Sequence, residues 1–203
     1  MNAPAPQPLA SRQAEIVRTT SETAIELRLT LDGEGLADVE TGIGFLDHML
    51  ISLAKHARFD LFLRCEGDLE IDDHHTAEDC ALALGQALDQ ALGERIGIAR
   101  FAHSYAPLDE ALARVVIDLS GRPFAHVDLG LKRDQIGEIA SENITHVFIS
   151  LAMASRMTLH VDVIRGANDH HQAEAAFKAL ALALRQAVMR DGSAGVPSTK
   201  GVL

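Results

Sequence analysis

The chain contains the same segment twice. Residues 48–54 read HMLISLA and residues 146–152 read HVFISLA, which lays His48 over His146 at an offset of 98. Asp73-His74-His75-Thr76-Ala77-Glu78 lies over Asp169-His170-His171-Gln172-Ala173-Glu174 at an offset of 96, so a two-residue gap falls in the loop between. Upstream, the segment 22–33 lies over 110–121 at an offset of 88. Chance likeness between Ala/Leu-rich helices does not put an HHxxE motif in register twice. The expected organisation is two homologous halves, roughly 11–97 and 98–190, with a disordered N-terminal tail over 1–10 and a C-terminal tail over 191–203.

Hydrophobic periodicity fits the duplication. Val, Thr, Ile and Leu alternate over 13–20 and 24–31, which predicts two strands, and Asp32-Gly33 is a turn signal. Phe45, Leu46, Met49, Leu50 and Leu53 share one side of a helix over 44–56. Phe59–Cys65 is expected as a strand, and 74–92 as a long Ala/Leu helix that Gly93 can cap. The second half repeats this order, with strands near 111–119 and 122–130, a helix over 142–155, a strand over 157–164 and a helix over 170–189. The fold class is α+β: internally duplicated half-domains, each a small, mostly antiparallel sheet with two helices packed on one face.

Composition narrows the function. Of 203 residues, 47% are hydrophobic, enough to bury a sizeable core and to exclude disorder as the main state. The net charge of −11 argues against nucleic acid as a partner, and an anionic substrate needs a locally basic pocket. No stretch reaches the roughly 18 apolar residues of a membrane helix. The start carries no basic-then-apolar leader, so a cytoplasmic location is expected. Cys65 and Cys80 make no disulfide framework, and Cys80 is expected to pack as a small apolar residue.

Ten histidines stand beside one Tyr and no Trp. Consecutive helical residues point about 100° apart, whereas residues three or four apart share a face. Glu78 can therefore join His74 or His75 but not both, and Glu174 likewise His170 or His171. Two splayed pairs in two halves suggest two metal sites. One allotment puts His48, His75, Glu78 and a crossing His170 at one site, and His146, His171, Glu174 and a crossing His74 at the other; the crossing histidines can be exchanged within each pair. Imidazoles with one carboxylate suit Mn²⁺, Fe²⁺, Co²⁺, Ni²⁺ or Zn²⁺ rather than Ca²⁺ or Mg²⁺. His56, His103, His126 and His160 have no repeat partner and are expected to be structural or solvated.

GIGFLDHML, FDL, DDHHTAED, PLDEA, DLSGRP, NDHHQAEAAFKAL and the closing PSTKG together resemble the imidazoleglycerol-phosphate dehydratase family of histidine biosynthesis. The likeness runs from about Arg18 to Gly201. It implies a lyase that converts imidazole-glycerol phosphate to imidazole-acetol phosphate and water, with two Mn²⁺ per subunit. In that reading, metal bound to the ring would favour the imidazolate, whose electrons would expel hydroxide and leave a neutral diazafulvene-like intermediate. The resemblance makes Glu22 the general base, with Glu110 as a weaker second candidate, and makes Arg100, Arg122, Ser198 and Lys200 the phosphate-binding residues. The C-terminal tail would then order over the substrate. At Ser52, some relatives carry a Gln that touches the phosphate. The resemblance also implies a homo-oligomer of 24 subunits with sites at the interfaces.

Two other readings compete. One is another dinuclear metalloenzyme, a hydrolase acting on a phosphorylated small molecule, which would turn over substrates lacking an imidazole ring. The other is a metal-stabilised assembly protein with no use for Glu22.

Overall fold

The structure is a computed structural model and describes residues 11–193, 195–201 and 203. The tail expected over 1–10 lies outside the described residues.

The first half runs β1 (Gln13–Thr19), β2 (Thr23–Thr30), β3 (Ala37–Glu40), α1 (Gly44–Ala57), β4 (Asp60–Gly67) and α2 (His74–Leu92). The second half runs β5 (Phe101–Leu108), β6 (Ala111–Asp118), β7 (Phe124–Asp128), β8 (Gln135–Ile136), β9 (Ile139–Ala140), α3 (Ser141–Ala154), β10 (Thr158–Arg165) and α4 (Asp169–Ala187). The first sheet has the order β1-β2-β4-β3 and the second β5-β6-β10-β7. In each, the first three strands pair antiparallel and the last joins parallel.

Each sheet buries one face because its strands alternate. Leu27 and Leu29 of β2, Leu63 of β4, Val115 and Ile117 of β6 and Val161 of β10 point inward, while Arg28, Arg64 and Arg114 stay toward solvent. On the inner face α2 packs on β1 and β2, α4 packs on β5 and β6, and the helices meet across the middle as α2 with α3 and α1 with α4. The layers are therefore sheet, helices, helices, sheet. Small side chains let the helices approach closely. A Cβ on Gly85 of α2 would fall 2.6 Å from the Cβ of Ala154 of α3. Phe148 of α3 and Phe177 of α4, both buried, place their rings 4.5 Å apart.

The four helices and the two-residue gap between β4 and α2 match the sequence expectation. The second half departs from it at its start. Its first strand is β5, ahead of the stretch expected near 111–119, and the strand within 122–130 is the parallel edge β7. The inward residues of β5 are Ala102, Ser104 and Ala106, while Phe101 and Tyr105 face solvent. Its large apolar residues thus stand on the wrong face for the usual signal. The strands β3, β8 and β9 have two to four residues, too few for periodicity. Asp32-Gly33 does turn the chain, but into a crossover, because β4 lies between β2 and β3. The Asp60 carboxylate accepts from the N–H groups of Glu34, Gly35 and Leu36 and fixes that crossover. The rise in offset from 88 to 98 corresponds to ten added residues before α3, in the segment that holds the β8–β9 hairpin.

Candidate metal centre

Among the described residues two clusters of possible ligands form, and each draws on both halves. His48 of α1 meets His170 and Glu174 of α4, and His146 of α3 meets His74 and Glu78 of α2; within each, the ligand atoms lie within 4.8 Å of one another. His48 Nε2 and His170 Nε2 each lie 3.2 Å from Glu174 Oε2. His146 Nε2 lies 3.0 Å from Glu78 Oε1, and His74 Nε2 lies 3.7 Å from Glu78 Oε2. The crossing therefore differs from the expected allotment. Each carboxylate joins the i−4 histidine of its own helix and the lone histidine of the other repeat, because α1 packs on α4 and α2 on α3.

The second histidine of each pair turns away, as helical geometry requires. The rings of His74 and His75 stand at 73°, and those of His170 and His171 at 89°. His75 Nδ1 is 3.0 Å from Asp68 Oδ2, and its Nε2 is 3.8 Å from Glu22 Oε1. His171 Nδ1 is 2.8 Å from Glu110 Oε2, while Glu110 Oε1 accepts from the N–H groups of Ala167 and Asn168. His171 and those two backbone donors lower the Glu110 carboxyl to about 2. The bond to Asp68 raises His75, and the bond to Glu110 raises His171. Glu22 and Glu110 both sit one residue before the second strand of their half, yet only Glu110 is tied down.

Residues absent from the sequence expectation hold this arrangement. Asp73 accepts from Ala140 N–H at 2.7 Å and so anchors the start of α3 to the start of α2. Asp169 accepts from the N–H groups of Lys132 and Arg133. Both aspartates precede the His-His pair, a signal in plain view once the loops are known. Asn143 Oδ1 lies 2.8 Å from His74 Nδ1, and Lys178 Nζ lies 2.7 Å from Glu174 Oε1. Burial pushes the Glu174 carboxyl up, but Lys178 and His48 pull it further down, leaving it below the usual range.

The four phosphate candidates gather at the opposite end of the helices. Arg100 is buried; its guanidinium meets the Asp118 carboxylate at 2.7 and 3.1 Å and donates to Pro197 O at 2.6 Å. Its backbone N–H donates to Ala187 O, the last residue of α4. Arg122 is exposed beside Gly121, against which the terminal Leu203 packs. Ser198 Oγ accepts from Lys200 N–H. The 19 residues of α4 span about 28 Å, so His170 at its start is far from Arg100 at its end. Ser52, one turn beyond His48, is buried, and its Oγ has no hydrogen-bond partner among the described residues.

Of the unpaired histidines, His103, His126 and His160 lie in one row on the outer face of the second sheet. His56 sits at the end of α1, where burial lowers its pKa. Cys65 and Cys80 are free and buried.

The donor sets fit a divalent transition ion: two imidazoles and one carboxylate per cluster, with His74 held by an amide oxygen that leaves Nε2 facing Glu78.

Comparison with known proteins gives one family. The imidazoleglycerol-phosphate dehydratase family model matches residues 41–184. A protein of that name from Phytophthora nicotianae is 62% identical over 95% of the chain, which spans 42% of that relative's length. One from Phaffia rhodozyma is 56% identical over 96% of the chain and 98% of its own length. The crystal structures of the imidazoleglycerol-phosphate dehydratases from Staphylococcus aureus and Pyrococcus furiosus superpose with a TM-score of 0.80 each. They are 34% and 36% identical and cover 88% and 93% of this chain, and 99% and 100% of their own. The duplicated fold, the matched residues and these identities together place the chain in the imidazoleglycerol-phosphate dehydratase family.

Proposed function

We propose that the protein is a dehydratase of histidine biosynthesis that converts imidazole-glycerol phosphate to imidazole-acetol phosphate and water. The observation that carries this reading is the pair of pseudo-symmetric His-His-Glu clusters in a chain of this family. Two Mn²⁺ per chain would be held by His48, His170 and Glu174 and by His74, Glu78 and His146, and when bound they supply the charge that holds and acidifies the ring nitrogens. Three protein ligands per cluster leave positions for the substrate and for a further histidine. His75 and His171 are the candidates for that place, half-exposed and each oriented through Nδ1 by a carboxylate.

Glu22 is the general base. It stands at an exposed turn beside His75 and takes the proton from the carbon next to the one that loses its hydroxyl. The orienting of His75 is done by Asp68, and Glu22 approaches the far ring nitrogen only to 3.8 Å. In the second half Gly166 stands where Asp68 would be, and Glu110 does the orienting instead. That divergence favours Glu22 over Glu110.

Arg122, Ser198 and Lys200 supply donors to the phosphate, and Arg100 positions the tail through Pro197 and offers its remaining N–H groups. A three-carbon phosphate on an imidazole cannot bridge the length of α4. The complete site therefore combines the clusters of one copy with the basic tail region of another, in a homo-oligomer that the family resemblance puts at 24 subunits. No helix among the described residues is long and apolar enough to cross a membrane.

The test is incubation with imidazole-glycerol phosphate and Mn²⁺ under reducing conditions. The ketone product is expected. Release of inorganic phosphate without ketone would instead support the hydrolase reading.

A further inference from the structure

The two clusters occupy equivalent places in the repeats, but two of the positions that touch a clustered ligand differ between them. Beside the His74–Glu78–His146 cluster, Asn143 Oδ1 accepts from the Nδ1 side of His74 at 2.8 Å. This puts the ring proton on Nδ1 and the lone pair on Nε2, toward Glu78, the tautomer that a cation requires. The counterpart of Asn143, 98 positions earlier, is Phe45. Its ring packs edge-on to His170 at 5.1 Å and offers no oxygen to fix the proton of that imidazole.

The second difference lies one turn beyond each glutamate. Lys178 Nζ is 2.7 Å from Glu174 Oε1, whereas the counterpart of Lys178, 96 positions earlier, is Leu82. The Glu174 side chain is 12% exposed and that of Glu78 is 35% exposed. The ammonium thus acts on Glu174 through less screening water than surrounds Glu78. A cation entering beside Glu174 meets a carboxylate already partly neutralised and a positive charge next to it. Both differences weaken the same cluster.

We infer that the sites fill in order: the His74–Glu78–His146 site takes its divalent ion first and more tightly, the His48–His170–Glu174 site second, with Asn143 and Lys178 setting the order. This rests on the metal-dependent reading above. Hydrogen-bond partners that orient a metal-binding histidine change affinity by about 10–100-fold, so the brace from Asn143 separates the two binding steps by about tenfold or more.

The experiment uses the full chain, stripped by chelator and reloaded with one equivalent of Mn²⁺ per chain. Anomalous diffraction at the manganese edge is expected to show density concentrated at His74–Glu78–His146, and calorimetric titration two resolved steps. Lys178→Met is expected to raise the affinity of the second step toward the first. Lys178→Arg, which keeps the charge, leaves the steps apart. Asn143→Leu weakens the first step. Equal density at both sites, or density concentrated at His48–His170–Glu174, overturns the order while leaving the metal reading intact. No density at either site with excess Mn²⁺ overturns both.

Discussion

His171 Nδ1 lies 2.8 Å from Glu110 Oε2, while Glu22, at the equivalent turn of the other half, approaches His75 Nε2 only to 3.8 Å. One carboxylate is committed to holding a histidine and a loop. The other is held by no such bonds. The duplication supplied two copies of the turn, and divergence gave them different work.

Replacing Glu22 with Gln is therefore expected to cut turnover by about 10²–10⁴-fold, the usual contribution of a general base. Bound metal, measured by elemental analysis, should stay unchanged. Turnover that survives in a metal-replete Glu22→Gln protein would remove Glu22 from the mechanism.

Glu110→Gln should behave differently, lowering thermal stability and loosening the 167–168 loop. The pH dependence has a definite sign. Glu110 is depressed to about 2 from 4.5, so its contribution is complete above about pH 4.5 and fades as pH falls toward about 2. His171 is raised above 6.5, so its contribution is complete below about pH 6.5 and fades as pH rises through the raised value. The pair is strongest between those limits. Denaturation of the metal-free protein across pH should show this window in the wild type and lack it in Glu110→Gln.

Metal should leave in acid. Ligand imidazoles bind only when neutral, so metal content is expected to fall below about pH 6, and with it the melting temperature. At neutral pH a chelator should produce the same loss. Restoring Mn²⁺ to a hundred times the dissociation constant of one site should return about 2.7 kcal/mol from that site. A melting temperature indifferent to both treatments would contradict the assignment of the two clusters.

Lys200→Ala and Arg122→Ala are each expected to raise KM for the phosphorylated substrate. A charged hydrogen bond is worth about 1.5–3 kcal/mol, which corresponds to roughly 10–100-fold. Steady-state kinetics with imidazole-glycerol phosphate would show it, and an unchanged KM in both variants would exclude the tail region from phosphate binding.

Phe148→Ala should destabilise the protein by about 3–5 kcal/mol, since its fully buried ring packs at a tilt against Phe177 at the helix interface. Urea denaturation at fixed protein concentration is the measure.

The duplication, the four helices, the candidate ligand types and the splaying of each His-His pair were legible in the amino-acid order alone. These depend on local periodicity and on the 100° step of a helix, which neighbouring residues carry. It did not reveal β5, because the inward residues Ala102, Ser104 and Ala106 are small where α4 lies close. Nor could it say that His48 meets Glu174 rather than Glu78, or that Asp73 and Asn143 brace the opposite repeat. Those pairings follow from which helices cross, and packing between residues 126 positions apart leaves no trace in local spacing. Tertiary structure also separated the candidate metal ligands from the basic tail by the length of α4, because the two groups stand at opposite ends of that helix.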